Sequence, residues 1–329
     1  MATLEETLKK LNKGKKDNDT YSLLGKKEVK RTRTSTGSPY LDYISGGFMN
    51  GGYNCIVAKG GSGKSSIALL ACKDVISKGK VAVYFDGEGT LDDSYFKRMG
   101  VDKDNFLHIR HRNLERMLDE AEAFAQTDEV GIIVFDSIPI FKSTVVAEKS
   151  ASDYTIGIEA QRWGARMTLI EGYAVTRDIC LLGLTHYKKD PGVMMGDNRV
   201  LSRGEWQGTM MNTFIDLTKK KILYDEKKNI IGHTLDVRVK KSKSVAYDPT
   251  ETFSVNFYNE GGFNIIDEHA RLFIETGIVS VGGAGWLTFG NVDGEEVKVQ
   301  GVDKLTEYLK ENEEDYKNLV KMLENEQKS

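Results

Sequence analysis

Residues 58–65 read Ala-Lys-Gly-Gly-Ser-Gly-Lys-Ser, a glycine-rich segment that ends in a lysine and a hydroxyl residue. An apolar run from Cys55 to Val57 precedes this segment, and a helical pattern follows it. A glycine turn between a strand and a helix lets backbone N–H groups point at one anion, and the helix N-terminus adds partial positive charge. We therefore predict a phosphate-binding loop. The alternative is a βα turn with a chance Gly-Lys-Ser ending, and Ala58 departs from the usual first glycine.

The residue types in this loop suit a nucleoside triphosphate with Mg²⁺. Lys64 can reach the β- and γ-phosphates, and the Ser65 hydroxyl can ligate the metal ion. The whole loop is expected to contact the nucleotide. The predicted contact residues are Lys59, Gly60, Gly61, Ser62, Gly63, Lys64, Ser65 and Ser66.

Two carboxylates follow apolar, strand-like runs. Four apolar residues lead into Asp136, the position of a Walker B aspartate that would hold Mg²⁺. Glu88 comes just after the run 81–86 and can orient and deprotonate the water that attacks the γ-phosphate. The alternatives are a helix cap or turn residue for Asp136 and a solvated loop acid for Glu88.

A histidine directly follows the next apolar run, 179–185. His186 can sense the γ-phosphate and pass its presence to the residues that follow. An ordinary hydrogen-bonded histidine is an equal alternative.

The segment 187–204 shows no clear secondary-structure pattern and mixes cations with apolar residues. Loops of this length in compact domains are usually functional or disordered. Cations reach phosphates, and apolar side chains can wedge between bases, so a solvated loop competes with a nucleic-acid contact. The predicted DNA-binding residues are Lys188, Lys189, Val193, Met194, Met195, Arg199 and Arg203.

Apolar, strand-like runs and helical patterns alternate around these residues. Apolar runs predict strands over 54–58, 81–86, 131–136 and 179–185, and helical spacing predicts helices over 64–78, 114–126 and 157–177. Continuously apolar strands between helices are typical of a largely parallel sheet that is covered on both faces. Polar and apolar residues alternate over 213–218, 234–241 and 252–258, which predicts an antiparallel extension of the sheet. The predicted class is α/β.

We predict three parts in the chain. Residues 1–34 form an arm with a short amphipathic helix over 1–12 and carry ten Lys/Arg against five Asp/Glu. Residues 35–266 form the core, and residues 267–329 form a small α+β domain with an acidic tail. The basic arm and acidic tail either aid solubility or bind and regulate a polyanion.

Composition excludes several classes of protein. The 329 residues have a net charge of −3, and no apolar run approaches the roughly 20 residues of a membrane span. The polar N-terminus lacks the apolar centre of a signal peptide, so we expect a cytoplasmic protein without a membrane partner. Cys55, Cys72 and Cys180 lie in apolar segments without metal-site spacing, and we expect reduced core residues.

An ordered set of segments resembles the RecA recombinase family, and in particular its divergent phage-type (UvsX-like) members. The similarity covers roughly residues 34–310. Its segments are 35–42 before the phosphate loop, Asp86-Gly87-Glu88-Gly89-Thr90-Leu91-Asp92, Met99-Gly100-Val101-Asp102, Gly192-Val193-Met194-Met195-Gly196 and Val237-Arg238-Val239-Lys240-Lys241-Ser242-Lys243.

The resemblance implies roles for individual residues. Glu88 matches the catalytic glutamate, with Lys64 and His186 as further catalytic residues, and Asp136 matches the Walker B aspartate. Asp92 and Tyr95 match positions that contact adenine. Lys241 and Lys243 match lysines that reach ATP held by the neighbouring protomer. His186 replaces the family's usual glutamine, and the first DNA-binding loop, about 144–156, is weakly matched, with Lys149, Ser150, Ser152 and Tyr154 as candidates.

The resemblance also implies the fold and the function. The fold is a RecA-type P-loop ATPase core with a mostly parallel sheet. The function is ATP-dependent pairing and strand exchange by a helical homo-oligomeric filament on single-stranded DNA, which also engages double-stranded DNA. ATP and Mg²⁺ are the implied cofactors, and single-strand-binding and mediator proteins are further candidate partners. The alternatives are a RecA-fold hexameric helicase and a mediator that binds ATP and DNA but hydrolyses poorly.

Overall fold

The computed structural model of the protein describes residues 3–14, 31–144, 157–189, 199–202 and 206–326. The first helix is α1 (Leu4–Leu11). Thr3 directly precedes it, and the side chains of Thr3 and Glu6 cap its N-terminus. Leu4 and Leu11 remain exposed, and no residue of this helix is buried. The sequence prediction of a short amphipathic N-terminal helix is therefore confirmed.

A short capped segment leads into the main sheet. The two-residue strands β1 (Arg33–Thr34) and β2 (Phe48–Met49) pair antiparallel around α2 (Pro39–Ser45). Ser38 caps α2 through the N–H of Leu41, and Gly46 ends it at φ 76°. This left-handed conformation is one that glycine adopts without steric cost.

Eight strands form the main sheet, in the order β12-β11-β10-β3-β7-β6-β4-β5. The strands from β10 to β5 pair parallel, and β11 and β12 continue the sheet antiparallel. Their bounds are β3 (Gly52–Ala58), β4 (Val81–Asp86), β5 (Phe106–Ile109), β6 (Val130–Asp136), β7 (Cys180–Thr185), β10 (Met211–Tyr224), β11 (Ile230–Ser242) and β12 (Phe253–Tyr258).

The α/β class and the mostly parallel sheet are confirmed, with two differences in the strands. The strand predicted over 213–218 as part of the antiparallel extension is β10, which pairs parallel with β3 and antiparallel with β11. Strand β5 was not predicted, because it lies at the sheet edge and its four residues, only partly buried, show no continuous apolar run.

Helices cover both faces of the sheet. One face packs on α3 (Lys64–Ser77) and α4 (Asp93–Met99), and the other packs on α5 (Leu114–Ala125) and α6 (Ile158–Arg177). All seven residues of β3 and all seven of β6 are buried, as expected for strands between two helical layers.

The segment after His186 is more regular than its sequence predicted. Strands β8 (Tyr187–Lys189) and β9 (Arg199–Leu201) pair antiparallel, with Lys188 opposite Val200. The short helix α7 (Trp206–Met210) then leads into β10. The expectation of a segment without secondary structure was therefore wrong at both ends, because strands of three residues are too short to show a hydrophobic pattern.

The C-terminal region combines helices with a three-stranded antiparallel sheet. Helix α8 (Ile265–Glu275) is followed by β13 (Ser280–Val281), β14 (Trp286–Gly290) and β15 (Glu296–Gln300), and then by α9 (Gly301–Glu311) and α10 (Glu313–Glu326). Buried side chains of these elements join the same apolar cluster as α3. The boundaries after residues 34 and 266 stay predictions.

The three cysteines of the chain lie in the core. Cys55, Cys72 and Cys180 are buried and unbridged, in agreement with the expectation of core residues. None of the described helices combines the length and the apolar character needed to cross a bilayer.

Candidate active site

The phosphate loop connects the carboxyl end of β3 with the first turn of α3. Gly61 and Gly63 adopt positive φ values of 70° and 84°, which allow the chain to turn directly into the helix. Lys64 is the first residue of α3 and is buried. Its Nζ donates to the carbonyl oxygens of Ala58 and Lys59, both at 3.2 Å, so the ammonium group lies across the mouth of the loop.

Asp136 ends β6 next to this loop, and its carboxylate is held by two hydroxyl groups. Ser65 Oγ donates to Asp136 Oδ2 at 2.7 Å, and the Tyr84 hydroxyl donates to the same oxygen at 2.6 Å. Burial raises the pKa of Asp136 to about 6, although both hydrogen bonds act to lower it. A cation placed against this carboxylate would favour its charged form.

The oxygen atoms at this position fit Mg²⁺. Asp136 Oδ1 is buried and has no hydrogen-bond partner, and the Ser65 hydroxyl lies beside the same carboxylate. Hydroxyl and carboxylate oxygens are ligands that Mg²⁺ accepts, with substrate phosphates and water completing the coordination. The described residues contain no group of three or more His, Cys, Asp or Glu that could hold a metal ion.

Glu88 lies in the loop after β4, and neighbouring residues fix that loop. Ser137 Oγ donates to Glu88 Oε1 at 3.0 Å, which links the glutamate to the residue after Asp136. The buried Asp86 accepts from the N–H groups of Gly89 and Leu91 at 2.7 and 3.3 Å. The Glu88 carboxylate is therefore positioned at the same sheet edge as the phosphate loop.

Asp86 is fixed in its charged form. Burial acts to raise the pKa of Asp86, but hydrogen bonds from His108 and from the backbone N–H groups of Gly89 and Leu91 outweigh it and hold the pKa below its usual value. The His108 Nε2 atom lies 3.0 Å from Asp86 Oδ2. An ionised aspartate thus organises the backbone around Glu88.

His186 follows β7 at the same edge, since Thr185 pairs with Val57 of β3. Burial lowers the pKa of His186, the charge of Lys64 lowers it further, and Glu88 opposes both. Burial also lowers the pKa of Lys64, while Glu88 and Asp136 act to raise it. The neutral imidazole is thus the favoured form near neutral pH in this arrangement.

Asp92 and Tyr95 lie on the other side of the loop, at the start of α4. Asp92 caps that helix by accepting from the N–H of Tyr95 at 2.9 Å. The Tyr95 hydroxyl lies 2.6 Å from Ser66 Oγ, and the Arg98 guanidinium lies 4.8 Å from the centre of the Tyr95 ring. A cavity of about 190 Å³ beside the loop is lined in part by Gly63, Ser66 and Tyr95.

Strands β8 and β9 carry the predicted DNA-binding cations that the structure describes. Lys188 is exposed, and the Arg199 guanidinium lies 4.8 Å from the centre of the Tyr187 ring. The Tyr187 hydroxyl donates to Asp216 Oδ2 at 3.1 Å, which attaches the pair to β10. A cavity of about 580 Å³ lies between the strands β8 and β9 and the phosphate loop. Its lining includes Lys59, His186 and Lys188.

Several sequence predictions lie outside the described residues or only partly within them. Lys189 is the last residue of β8. Val193, Met194, Met195 and Arg203 of the second predicted DNA-binding loop lie outside the described residues, as do Lys149, Ser150, Ser152 and Tyr154 of the first.

Lys241 lies near the carboxyl end of β11 and Lys243 follows that strand, two strands away from β3 in the sheet. Lys241 pairs with Phe214, which pairs with Cys55 in the middle of β3. Lys243 lies further toward the start of β3, because its N–H donates to the carbonyl oxygen of Asn212 at 3.0 Å. The loop follows the opposite end of β3, so the structure does not bring these lysines into the site.

Tyr84 and Asp86 are site residues that the sequence reasoning missed. Both lie on β4, and Asp86 pairs with Asp136 across the sheet. Their contribution depends on β4 lying directly beside β6, which no local pattern reveals. The available signal was the hydroxyl group of Tyr84 within the run 81–85, which is otherwise apolar.

Comparisons with known proteins agree with this architecture. The family model described as RecA N-terminal domain matches residues 2–263. Protein RecA of Mycoplasma pneumoniae is 30% identical over 246 residues, which cover 74% of this chain and 72% of that protein. Protein RecA of Staphylococcus aureus is 28% identical over 281 residues, which cover 85% of this chain and 79% of that protein. The chain therefore belongs to the RecA family.

Proposed function

We propose that this protein is an ATP-dependent DNA recombinase that assembles on single-stranded DNA, pairs it with a homologous duplex and exchanges strands. The observation that carries the proposal is the meeting of Lys64, Asp136 and Glu88 at one sheet edge, with His186 leading from that edge into β8. Membership of the RecA family and the likeness to proteins named Protein RecA support the same function.

Hydrolysis of ATP follows from the groups at this edge. The loop N–H groups and Lys64 bind the phosphates, and Lys64 offsets negative charge that develops on the γ-phosphate. Ser65 and Asp136 would hold Mg²⁺, which when bound neutralises charge on the β- and γ-phosphates. Glu88, fixed through Ser137, acts as the base that orients and deprotonates the attacking water.

Nucleotide recognition beyond the phosphates is assigned to the start of α4. Tyr95 borders the cavity beside the loop, and its hydroxyl contacts Ser66. An aromatic ring offers a face for a purine base, and the exposed Asp92 carboxylate can accept from an amino group. This position supports the proposed role of both residues in contacting adenine.

DNA binding is assigned to the strand pair β8–β9 and the residues between the two strands. Lys188 and Arg199 supply cations for phosphates, and Val193, Met194 and Met195 supply apolar side chains that can separate bases. Sequence recognition comes from base pairing between the strands, so contacts to the DNA backbone are sufficient. A chain with net charge −3 can bind DNA in this way because the cations are needed only locally.

The site is proposed to be completed by a second copy of the chain. Lys241 lies level with the middle of β3 and Lys243 nearer its start, so both lie away from the phosphate loop of their own chain and can face the nucleotide of a neighbouring protomer. Cations from a neighbour that contact the γ-phosphate make assembly dependent on ATP, and hydrolysis removes that contact. We therefore propose a helical homo-oligomer with ATP between its protomers.

The decisive experiment combines an ATPase assay, with and without single-stranded DNA, with a joint-molecule assay. Stimulated hydrolysis together with pairing is the expected result. Stimulation with unwinding and no pairing would select a hexameric helicase instead. DNA binding with negligible hydrolysis would select a mediator protein, an alternative that Lys64, Glu88 and Asp136 disfavour.

A further inference from the structure

Hydrogen bonds connect the candidate γ-phosphate sensor to the strand that carries the phosphate loop. Ser202 donates to the carbonyl oxygen of His186 through its N–H at 3.3 Å and its Oγ at 3.0 Å. Gln207 Nε2 donates to the carbonyl oxygen of Ser202 at 2.5 Å. The Tyr53 hydroxyl in turn donates to Gln207 Oε1 at 3.1 Å. We name these four residues the relay.

Burial makes the relay stiff at its Gln207 end. Gln207 and Tyr53 are fully buried, and the Gln207 amide uses its acceptor on Tyr53 and a donor on Ser202. Gly183 of β7 makes room for the tyrosine, since a Cβ at that position would lie 2.2 Å from the Tyr53 hydroxyl. Neither side of the amide can move away without leaving a buried polar group unpaired, which costs free energy.

An aromatic stack holds the neighbouring residue, Trp206. Its ring centre lies 5.3 Å from that of Tyr53 and 5.5 Å from that of Trp163 on α6, and the two indole planes are nearly parallel at 9°. A Cβ at Gly164 would lie 3.3 Å from the Trp206 Cβ, so glycine permits this close approach. The stack fixes α7 against both β3 and α6.

Building on the proposed function, we propose that Gln207 is a positioning residue that couples the nucleotide site to the strand pair β8–β9. His186 precedes β8 and Ser202 follows β9, so both ends of the pair meet at the His186 carbonyl group. Gln207 ties that junction to β3, which leads into the phosphate loop. A shift of His186 is therefore transmitted to the base of the proposed DNA-binding segment instead of being absorbed there.

Gln207→Met and Tyr53→Phe test the relay. Methionine keeps the approximate length of the glutamine side chain without its amide, and phenylalanine removes only the hydroxyl. The affinity for a fluorescent, non-hydrolysable ATP analogue and the affinity for single-stranded DNA, with and without that analogue, are measured for each variant. Both variants should keep the affinity for the analogue and the nucleotide-free DNA affinity. The gain in DNA affinity on adding the analogue should fall about tenfold, within the range of typical coupling between sites.

Tyr40→Phe is the matched control. The Tyr40 hydroxyl donates to Glu275 at 2.7 Å. Tyr40 is buried like Tyr53 but forms no part of the relay. This variant should keep the full nucleotide-dependent gain. If Gln207→Met does not fold, Tyr53→Phe decides, because it loses a single oxygen atom.

Three outcomes would overturn the relay. An undiminished gain in Gln207→Met or, where that variant does not fold, in Tyr53→Phe removes the proposed coupling. An equal loss of DNA affinity with and without the analogue assigns Gln207 a structural role only. A parent chain without any nucleotide-dependent gain overturns the recombinase proposal together with the relay, whereas a parent with the gain and unaffected variants overturns the relay alone.

Tryptophan fluorescence gives an independent readout. The chain has three tryptophans, and Trp286→Phe leaves only the stacked pair Trp163 and Trp206. Adding the ATP analogue to this variant should change the emission of the pair. The same addition to Trp286→Phe combined with Gln207→Met should change it much less, and an equal change in both would contradict the relay.

Discussion

At the scale of single residues, the phosphate loop owes its chemistry to side chains that burial brings close together. Lys64 is buried among carbonyl oxygens, and Asp136 is buried with one oxygen that has no partner. Electrostatic interactions are stronger in such surroundings than in water. Small changes to either side chain should therefore have large effects on hydrolysis.

Lys64→Ala should abolish ATP hydrolysis. The substitution removes the cation that reaches the β- and γ-phosphates, and the loss of one such group typically lowers turnover by about 10²–10³-fold. Steady-state hydrolysis at saturating ATP measures the effect. Lys78→Ala, on the residue that follows α3, is the control and should hydrolyse ATP normally. Unchanged turnover in Lys64→Ala would exclude the assigned site.

Tyr84→Phe should raise the Mg²⁺ concentration needed for ATP binding by about tenfold, since a hydrogen bond to a charged group contributes about 1.5–3 kcal/mol. The Tyr84 hydroxyl orients the Asp136 carboxylate at 2.6 Å. A fluorescent ATP analogue titrated with Mg²⁺ reports the change. Tyr308→Phe removes a hydroxyl that donates to Asp315, also at 2.6 Å, and should leave the Mg²⁺ requirement as it is.

Sequence alone predicted the candidate site residues whose placement depends on local spacing. The loop 58–65 and Asp136 at a strand end are local patterns, and the structure brings Ser65 and Asp136 within hydrogen-bond distance. Tyr84 and Gln207 were not predicted from the sequence, because each forms a hydrogen bond with a residue more than 50 positions away in the chain. Such contacts depend on which strands become neighbours in the sheet. Local patterns in a single sequence do not predict that order.

At the scale of elements, the contact between α2 and α8 joins the core to the C-terminal region through a buried carboxyl group. Glu268 of α8 accepts from Ser38 Oγ at 2.6 Å and from the N–H of Tyr40 at 3.4 Å. Its other oxygen is buried and has no hydrogen-bond partner. Burial raises the pKa of Glu268 to about 7, although both hydrogen bonds act to lower it.

Glu268→Gln should remove the decrease in the free energy of unfolding that ionisation of Glu268 causes as pH rises. Between the ordinary pKa of 4.5 and about 7, the folded chain binds this proton more tightly than the unfolded chain. The contribution of Glu268 to the free energy of unfolding is therefore largest below pH 4.5 and decreases through that window. Relative to the parent, Glu268→Gln should gain about 1–3 kcal/mol between pH 5 and pH 8.

Urea unfolding at the two pH values measures this difference. Glu275→Gln, at the exposed end of the same helix, is the control and should follow the parent. A parallel pH dependence of the parent and Glu268→Gln would show that the buried carboxyl group is not the cause.

Within the main sheet, the strands with a long apolar or alternating pattern were predicted from sequence, and the short strand β5 was missed. Strands β3, β4, β6 and β7 are largely apolar because helices cover both of their faces. Strand β5 lies at the edge, and β8 and β9 have only three residues each. Short or half-exposed strands leave little hydrophobic pattern, and tertiary pairing decides their conformation.

At the scale of the whole molecule, Lys241 and Lys243 lie away from the end of β3 that leads into the phosphate loop. Lys243 is exposed, and its neighbour Lys241 donates to the carbonyl oxygen of Gly208 at 3.0 Å. Desolvation by burial and the charge of Lys243 lower the pKa of Lys241. An anion provided by another copy of the chain would offset this repulsion.

Lys243→Ala should weaken ATP-dependent filament assembly and leave folding intact. An exposed lysine contributes little to the stability of its own chain, so the free energy of unfolding should change by no more than about 0.5 kcal/mol. Electron microscopy of filaments with ATP and single-stranded DNA measures assembly, and urea unfolding measures stability. Lys298→Ala, an exposed lysine of the C-terminal sheet, should form normal filaments. Normal filaments from Lys243→Ala would contradict the proposed role of this lysine between protomers.

The proposed role of these lysines would also make the two ends of an open assembly chemically different. If Lys241 and Lys243 serve a neighbour, one terminal protomer binds ATP that no second chain covers, and the other presents two cations that meet no nucleotide. A row of n protomers then contains n − 1 finished sites. Addition and loss of subunits should accordingly proceed at unequal rates at the two termini. This difference would give the polymer a polarity that does not depend on the polarity of the bound DNA strand.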